Sequence, residues 1–313
     1  MPELSTESSI FAALVSGALA KYAFGAVTRM NRRRKMVQVG TVKQLNCYPV
    51  KSCSGVSVDS GLCTPLGLKV GKATDRHWLV VRSNGDFVTQ RQFSKLALVS
   101  TEIGNTQLVI QGPGMPTLRL PLEPITDRSK VMRCRIWGNR SEGLDCGDDA
   151  AYWFSTFLRI QGLRLLFSAS DLAHQDVTNM PKPGGNPALP GDQAAFSDWC
   201  SYLVTTEESL AAVNERLKEP VVMRRFRPNI VDNWSELQIG DATFRMLGPC
   251  ERCLLTTVNP DTGERDPRAE PLETLKSFRC FPEHGPSPLF GVNATVDVTG
   301  VVKVGDPVFA IRK

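Results

Sequence analysis

The chain has 313 residues, of which 42% are hydrophobic and 22% charged, an ordinary composition for one large or two modest globular domains. Its formal net charge of +5 is far below that of a nucleic-acid-binding tail, and no basic stretch alternates with aromatic residues, so nucleic acid is not expected as a partner. The nine cysteines are scattered and follow no cleavable secretory signal, which favours reduced thiols in a domain that faces the cytosol.

An apolar run at residues 10–27, "IFAALVSGALAKYAFGAV", is interrupted only by Lys21 and is followed at once by "RMNRRRK". Its length is just sufficient to span a bilayer as a helix. Basic residues tend to stay on the cytosolic side, so this flank would leave the rest of the chain in the cytosol. Residues 1–36 are therefore predicted to be a membrane anchor with a basic flank, and an amphipathic surface helix is the alternative.

From Val37 onward, short β-rich segments alternate with turns. "VGTVKQLNCYPV" alternates, "HWLVVRSNGDFVTQRQ" predicts two strands around an Asn84-Gly85 turn, and "NTQLVIQG" and "PTLRLPL" are typical of further strands. A helix is predicted over 149–158, after a capping signal at Asp148-Asp149. The first half is thus predicted to be mostly antiparallel β-structure.

The second half begins with "NMPKPGGNPALPGD" at 179–192, which is rich in proline and glycine and is predicted to be a long loop. "TTEESLAAVNERL" predicts a helix capped by Thr205 or Thr206. Strands are predicted again in "RPNIVDN", "LQIGDATFRML", "CLLTTV" and "GVVKVGDPVFAIR". The fold class is therefore α+β, with a β-rich amino-terminal lobe joined to a β-barrel-like half with peripheral helices.

Cys250 and Cys253 form a C-x-x-C pair in "GPCERCLLTTV". A structural zinc site needs four ligands, and because the sequence has no second close pair, zinc would depend on isolated residues such as Cys280 and His284. A redox disulfide is disfavoured because such pairs open a helix, whereas "LLTTV" is typical of a strand. Cys250 by itself is best explained as a buried small apolar residue. The third interpretation is a single thiolate on a soft metal or metal cofactor.

That third interpretation requires an anion-binding surface, which the sequence holds in separate pieces. "YPVKS" presents Lys51 and Ser52 after a strand, a cation and a hydroxyl suited to phosphate. "DRHW" places Arg76 at the entrance of a strand, and "RRFRPN" crowds three arginines before another. Each of these residues taken singly is better explained as a solvated surface charge.

Five motifs in this order resemble the MOSC-domain proteins, which are named after the carboxyl-terminal domain of molybdenum cofactor sulfurase: "YPVKSC", "DRHWLV", "FRPNIV", C-x-R-C-x-x-T-T-V-x-P-x-T-G and "KVGDPV". The likeness covers residues 37–313, and "EPLETLKSFR" followed by "SPLFG" resembles the mitochondrial amidoxime reducing component family. The resemblance implies a β-barrel-like MOSC N-terminal domain at 37–165 and a MOSC β-barrel domain at 166–313, with a cofactor between them.

The implied cofactor is the molybdenum cofactor, in which molybdenum is carried by molybdopterin. The resemblance makes Cys253 the catalytic residue and the ligand of molybdenum. Ten further residues are expected to bind the cofactor, the first three at its phosphate: Lys51, Ser52, Arg76, Asp198, Trp199, Cys200, Arg227, Asn229, Glu251 and Arg252. Trp199 and Glu251 depart from the family pattern, which has small hydroxyl residues and serine there.

The resemblance implies a molybdenum-dependent reductase of N-hydroxylated compounds (amidoximes, hydroxylamines, N-hydroxyguanidines) and of nitrite to nitric oxide. Electrons are expected from NADH through cytochrome b5 reductase and cytochrome b5, because the sequence has no dinucleotide fingerprint and no haem or iron–sulfur cysteine pattern. The alternative is a non-catalytic cofactor carrier or a sulfur-transfer module that uses Cys253. The implied location is the mitochondrial outer membrane with the catalytic domain in the cytosol, and the sequence does not separate this from the peroxisome or endoplasmic reticulum.

Overall fold

The computed structural model describes residues 36–182, 185–231 and 236–311. The predicted membrane anchor at residues 1–36 lies outside these described residues, except for its last residue. Within the described ranges, every helix is too short or too polar to span a bilayer.

The described ranges contain three α-helices, 22 strands and six short 3-10 helices. The α-helices are α1 (Asp148–Leu158), α2 (Glu207–Asn214) and α3 (Leu272–Phe278). The strands are β1 (Val37–Thr41), β2 (Leu45–Cys47), β3 (Val56–Val58), β4 (Ser60–Thr64), β5 (Gly67–Val70), β6 (Ala73–Thr74), β7 (Trp78–Arg82), β8 (Ser100–Ile103), β9 (Gln107–Gln111), β10 (Leu118–Pro121), β11 (Val131–Ile136), β12 (Asn139–Asp145), β13 (Leu163–Phe167), β14 (Gln175–Asp176), β15 (Gln193–Ala194), β16 (Tyr202–Thr205), β17 (Ile230–Val231), β18 (Glu236–Ile239), β19 (Ala242–Glu251), β20 (Leu289–Val298), β21 (Gly300–Lys303) and β22 (Pro307–Ala310). The 3-10 helices are Ser94–Leu98, Arg128–Lys130, Val177–Asn179, Met223–Phe226, Leu254–Thr257 and Pro282–His284.

A seven-stranded sheet in the order β1-β22-β18-β19-β20-β16-β17 is the largest in the described part of the molecule. Its strands pair antiparallel except β16 and β17, which are parallel. Alternate residues of β18 and β22, among them Leu237, Ile239 and Val308, point into a core that they share with Phe244 and Tyr202. This alternation is what one buried sheet face requires.

The amino-terminal half has its own core between a four-stranded sheet (β11-β12-β13-β7), a three-stranded sheet (β10-β9-β8) and α1. Trp78 and Val80 of β7 pack there with Ile110, Trp153 and Phe154. α1 begins where predicted, but its N-cap is Gly147 without a side-chain cap, and the two aspartates that follow lie in its first turn. They stabilise the helix through its dipole instead of by capping.

Hydrogen-bonded strands join the two halves of the chain. β1 pairs with β22, and β21 pairs with β4 in a four-stranded sheet with β5 and β6. The predicted boundary between 37–165 and 166–313 falls inside β13 and stays a prediction. The fold class is α+β, as predicted, with a β-rich amino-terminal half followed by a half that supplies most strands of the seven-stranded sheet.

Two predicted strands are wrong, and both segments contribute to the functional site. After the Asn84-Gly85 turn, only Asp86 and Phe87 form isolated bridges, and the chain then turns back on itself. The side chain of Gln92 accepts a hydrogen bond from the backbone N–H of Thr89 at 3.1 Å, which closes this turn. The alternating sequence could not indicate this side-chain competition with strand pairing.

"CLLTTV" is the second wrong strand, because Leu254–Thr257 is a 3-10 helix. Thr256 donates its hydroxyl to the carbonyl of Cys253 at 2.9 Å, and Thr257 donates to Leu254 at 2.7 Å. These local hydrogen bonds favour a turn over an extended strand, although threonine and valine are strand-forming residues.

Of the strand predicted in "RPNIVDN", the described residues form only Ile230–Val231, and the remaining predicted strands and helices are confirmed in the described ranges. Strands lie at Gln107–Gln111 and Leu118–Pro121, and α2 is capped by Thr206, whose hydroxyl accepts from the N–H of Ser209 at 2.9 Å. The predicted loop at 179–192 contains no α-helix and no strand in its described residues.

Candidate functional site

All eleven predicted site residues line one cavity of about 410 Å³ that opens between the two halves. They come from five separate stretches of sequence: Lys51 and Ser52, Arg76, Asp198 to Cys200, Arg227 and Asn229, and Glu251 to Cys253. Cavities of this size hold small ligands and cofactors. The fold therefore brings together the pieces of anion-binding surface that were separate in the sequence.

Lys51 lies buried at one end of the cavity. Its Nζ donates to the carbonyl of Phe196 at 2.7 Å and to Oδ1 of Asp198 at 2.6 Å. Burial lowers the pKa of Lys51 to about 8, although the Asp198 carboxylate opposes this shift. Lys51 therefore remains a cation at neutral pH, and an anion that entered the cavity would stabilise its charge.

Asp198 is the partner of this lysine and not a free acceptor. Its carboxylate also accepts from Nε1 of Trp137 at 3.0 Å and lies 3.8 Å from Nη1 of Arg91. Burial alone would raise the pKa of Asp198, but the positive charges of Lys51 and Arg91 hold it well below its usual range. The carboxylate is thus ionised throughout the neutral pH range.

Two arginines of the cavity flank one buried aromatic ring. The Cζ atoms of Arg76 and Arg227 lie 4.9 and 4.3 Å from the centre of the Tyr48 ring. Arg76 also pairs with Asp75 and donates to Oδ1 of Asn229 at 3.2 Å. Burial lowers the pKa of Arg227 to about 10, and its Nη2 has no hydrogen-bond partner among the described residues. Tyr48 thereby orients two cations towards the cavity.

Backbone strain is concentrated around the same cavity. In the described ranges, six non-glycine residues have positive φ, and four of them line the cavity: Ser52, Arg76, Trp137 and Arg227. Side chains larger than glycine avoid this region, and strained residues of this kind cluster at functional sites.

Cys253 also lines the cavity, partly exposed, as the N-cap of the 3-10 helix Leu254–Thr257. The Nη1 of Arg91 lies 3.2 Å from its sulfur. An accessible cysteine sulfur beside a guanidinium suits a ligand of a soft metal.

The interpretation of Cys250 as a buried apolar residue is wrong. Cys250 is partly exposed and lines the cavity, and its sulfur accepts from Nη1 of Arg252 at 3.1 Å. The pairing of β19 with β20 shifts register between Pro249 and Glu251. Such a bulge bends a strand and redirects its side chains, which explains why strand alternation did not predict this exposure.

The interpretations of the cysteine pair as a zinc site or as a redox disulfide gain no support from the described residues. All nine cysteines are free, and the described residues hold no group of three or more His, Cys, Asp or Glu that could bind a metal. Cys280, the suggested zinc partner, is exposed and donates towards the carbonyl of Pro286 at 3.7 Å. The disulfide was disfavoured on the expectation of a strand after Cys253, and that particular argument fails because a 3-10 helix follows.

Trp199 and Glu251, which depart from the family pattern, both contact Lys182. Lys182, in the loop, places its Nζ 4.2 Å from the centre of the Trp199 ring and 3.9 Å from the carboxylate of Glu251. Trp199 is buried and donates Nε1 to the carbonyl of Val177 at 3.3 Å. The positive charge of Lys182 therefore partly offsets the negative charge that Glu251 presents to the cavity.

Cys200, the third predicted residue of that segment, is buried. Burial raises the pKa of its thiol to about 12, so it is a neutral thiol at physiological pH. Its sulfur donates towards the carbonyl of Tyr202 at 3.3 Å. Cys200 can therefore contribute packing and a weak polar contact to a ligand, but not a charge.

Comparison with known proteins identifies the relatives of this chain. Residues 39–161 match the MOSC N-terminal beta barrel domain and residues 191–309 match the MOSC domain. Bovine mitochondrial amidoxime reducing component 2 is 42% identical over 299 residues, which cover 90% of this chain and 86% of the relative. The chain belongs to the mitochondrial amidoxime reducing component family. Human mitochondrial amidoxime-reducing component 1 is 41% identical over 95% of this chain and 91% of its own length, and the zebrafish protein of that name is 37% identical over 90% and 88%.

The cavity of this amidoxime reducing component homologue has the chemistry of a site for an anionic metal cofactor. Six basic and two acidic side chains line it: Lys51, Arg76, Arg91, Lys182, Arg227 and Arg252, with Asp198 and Glu251. Nη2 of Arg227 and Nε of Arg252 are buried donors without a partner in the described structure, which is costly unless a ligand accepts from them. A phosphate-bearing pterin with a metal beside a single thiol fits this donor set.

Three further residues line the cavity although no sequence motif indicated them: Arg91, Trp137 and Lys182. Arg91 lay in a segment predicted to be a strand. Lys182 lay in the loop at 179–192, where no regular pattern indicates side-chain direction. Trp137 did leave a signal, since a bulky residue before a glycine in "IWGN" is unusual for a two-residue hairpin turn.

Proposed function

We propose that this chain is a molybdenum-dependent reductase of N-hydroxylated compounds, namely amidoximes, hydroxylamines and N-hydroxyguanidines, and of nitrite to nitric oxide. The observation that supports it best is the convergence of eleven residues, chosen from sequence motifs, on one basic cavity that includes the accessible thiol of Cys253. For an N-hydroxylated compound, two electrons and two protons convert the N–OH group to N–H and water. The relatives' names, which contain the words amidoxime reducing component, support the same reaction class.

The proposed cofactor-binding roles follow from the positions of the side chains. Lys51, Ser52 and Arg76 would hold the phosphate, since two cations and a hydroxyl converge there. Arg227 and Arg252 would donate their unpartnered N–H groups to the pterin. Asp198, Trp199, Cys200, Asn229 and Glu251 form the remaining predicted contacts around it.

Cys253 would provide the protein ligand of molybdenum. When bound, the molybdenum cofactor would supply the electrons that remove oxygen from the substrate: two for an N-hydroxylated compound, and one, together with two protons, for the conversion of nitrite to nitric oxide and water. The chain itself binds and orients the cofactor, and Arg91 keeps a positive charge beside the Cys253 sulfur.

We also propose that electrons come from NADH through cytochrome b5 reductase and cytochrome b5. The support is the family resemblance together with the partial exposure of Cys253, which would place the metal near the protein surface. The relatives' names include the word mitochondrial, and we propose the mitochondrial outer membrane with the catalytic domain in the cytosol. Fusion of residues 1–40 to a fluorescent reporter tests the location, and a matrix or diffuse cytosolic signal would contradict it.

The activity is tested by reconstitution. Full-length protein loaded with molybdenum cofactor is assayed for benzamidoxime reduction with cytochrome b5, its reductase and NADH. Cys253→Ala is expected to abolish reduction, whereas Cys250→Ala is expected to retain most of it, because the Cys250 sulfur contacts Arg252 and the carbonyl of Glu251 and is not the proposed metal ligand. Cys280→Ala is the matched control, since Cys280 is exposed and outside the cavity lining.

A cofactor carrier or sulfur-transfer module is the second candidate, favoured by the same accessible thiol of Cys253. Metal-replete protein that reduces no N-hydroxylated substrate would support this candidate and contradict the reductase. Equal loss of activity in the Cys250 and Cys253 variants would instead favour a function in which the two cysteines act as a pair.

A further inference from the structure

Arg91 lies directly beside the sulfur of the predicted metal ligand. Its Nη1 is 3.2 Å from Sγ of Cys253, although 162 positions separate the two residues in the sequence. The side chain of Arg91 is 19% exposed. An arginine side chain is always charged, so this contact is a charge-assisted hydrogen bond to sulfur that burial strengthens.

Trp137 and Asp198 hold this guanidinium in position. The Cζ of Arg91 lies 4.4 Å from the centre of the Trp137 ring, and Oδ2 of Asp198 lies 3.8 Å from Nη1. Trp137 donates its Nε1 to Oδ1 of Asp198 at 3.0 Å, so the three side chains contact one another. The backbone carbonyl of Arg91 accepts from Arg265, which anchors the turn behind it. Trp137 and Asp198 therefore restrain the guanidinium of Arg91 while its Nη1 contacts Cys253.

The conformation of Trp137 is unfavourable by itself. Trp137 has φ of 51° and Gly138 has φ of 93° in the two-residue turn between β11 and β12. Asparagine and glycine are the residues that such a turn favours. The indole in this strained position covers Arg91 and packs edge-to-face on Phe87, with ring centres 5.2 Å apart. Strain of this kind is typical of positions with a functional constraint.

We propose that Arg91 is a positioning residue that orients the Cys253 sulfur and stabilises negative charge on it, and that Trp137 and Asp198 hold Arg91 in the donating geometry. This inference deepens the proposed function and rests on it for the identity of the metal. Hydrogen bonds and positive charge at a thiolate ligand favour the more electron-rich, reduced state of the metal. Arg91 therefore raises the reduction potential of the bound molybdenum.

The first test uses the cofactor-free full chain. Alkylation by uncharged iodoacetamide at neutral pH is followed by mass spectrometry, and trypsin cleavage after Arg252 places Cys250 and Cys253 in different peptides. Arg91→Gln is expected to slow alkylation of Cys253 at least about three-fold, because the hydrogen bond that holds the sulfur towards the cavity is lost. Arg91→Lys retains part of the rate. Arg82→Gln is the matched control, since the Arg82 guanidinium also lies over an aromatic ring but outside the cavity lining.

The second test measures the potential of the loaded protein by redox titration with electron paramagnetic resonance. Arg91→Gln is expected to raise the oxidised-to-reduced ratio at a fixed applied potential about ten-fold, a shift of about 30 mV for a two-electron couple. Trp137→Leu is expected to shift it in the same direction, and this variant substitutes for Arg91→Gln if the latter does not fold. Unchanged Cys253 alkylation overturns the inference, and changed alkylation with an unchanged potential overturns its effect on the metal. Wild-type protein that binds no molybdenum contradicts the proposed function, while the alkylation result still decides the role of Arg91.

Discussion

Replacement of Lys51 by methionine is expected to stabilise the cofactor-free protein while it weakens cofactor binding. Burial lowers the pKa of Lys51 from 10.5 to about 8, so keeping this lysine charged at neutral pH costs the folded protein about 3 kcal/mol. Methionine removes that cost but leaves the carbonyl of Phe196 without its hydrogen-bond donor, which destabilises the folded protein by about 1–2 kcal/mol. The net gain in the free energy of unfolding is about 1–2 kcal/mol.

The pH dependence has a definite sign. The folded-state pKa of Lys51 lies below its unfolded value, so the unfolded chain binds more protons between about pH 8 and pH 10.5. The stability of the wild type therefore rises through this window, and the advantage of Lys51→Met disappears at its upper end. The loss of one charge-assisted bond to the phosphate weakens cofactor binding about ten- to a hundred-fold.

Urea unfolding of cofactor-free wild type and Lys51→Met at several pH values measures the first effect, and molybdenum and pterin content measures the second. Lys72→Met is the control, because Lys72 forms an exposed pair with Glu123 and its loss should change stability by less than about 0.5 kcal/mol. Destabilisation of Lys51→Met by more than about 1 kcal/mol at neutral pH, or full retention of cofactor, would refute the reasoning.

Three further predictions concern single side chains. Tyr48→Leu removes the aromatic ring between Arg76 and Arg227 and should lower the molybdenum content of the protein several-fold, whereas Tyr48→Phe should retain the wild-type content. Equal loss of molybdenum in the two variants would contradict an orienting role for the ring. Glu251→Gln should slow cofactor release on dilution while changing the free energy of unfolding by less than about 1 kcal/mol, and faster release would count against it. Burial lowers the pKa of His77 to about 4, so the unfolded chain binds more protons than the folded chain between about pH 4 and pH 6.5. The free energy of unfolding therefore falls as the pH drops through this range. The urea midpoint should fall less in His77→Gln than in the wild type, and an identical fall would exclude His77 as the cause.

The fold class and most elements could be predicted because they depend on local patterns. Alternation in β18 and β22 and the Thr206 cap of α2 are readable in windows of a few residues, and the structure confirms them. The prediction failed where side chains compete with backbone pairing. Gln92 closes a turn on Thr89, and two threonine hydroxyls convert the segment after Cys253 into a 3-10 helix. Propensity scales average over such bonds and do not indicate them.

The chemical character of the site follows from the amino-acid sequence. Its ordered motifs contain the cations, the hydroxyl and the cysteine that suit a phosphate-bearing metal cofactor, and these residue types are independent of conformation. The tertiary structure decided which charges meet: Lys51 pairs with Asp198, and Lys182 joins Trp199 to Glu251. It also decided that Cys250 lines the cavity and that Arg91 contacts Cys253. These contacts join residues far apart in the chain, and a cation's effect on a sulfur depends on a separation of a few ångströms that only the folded chain defines.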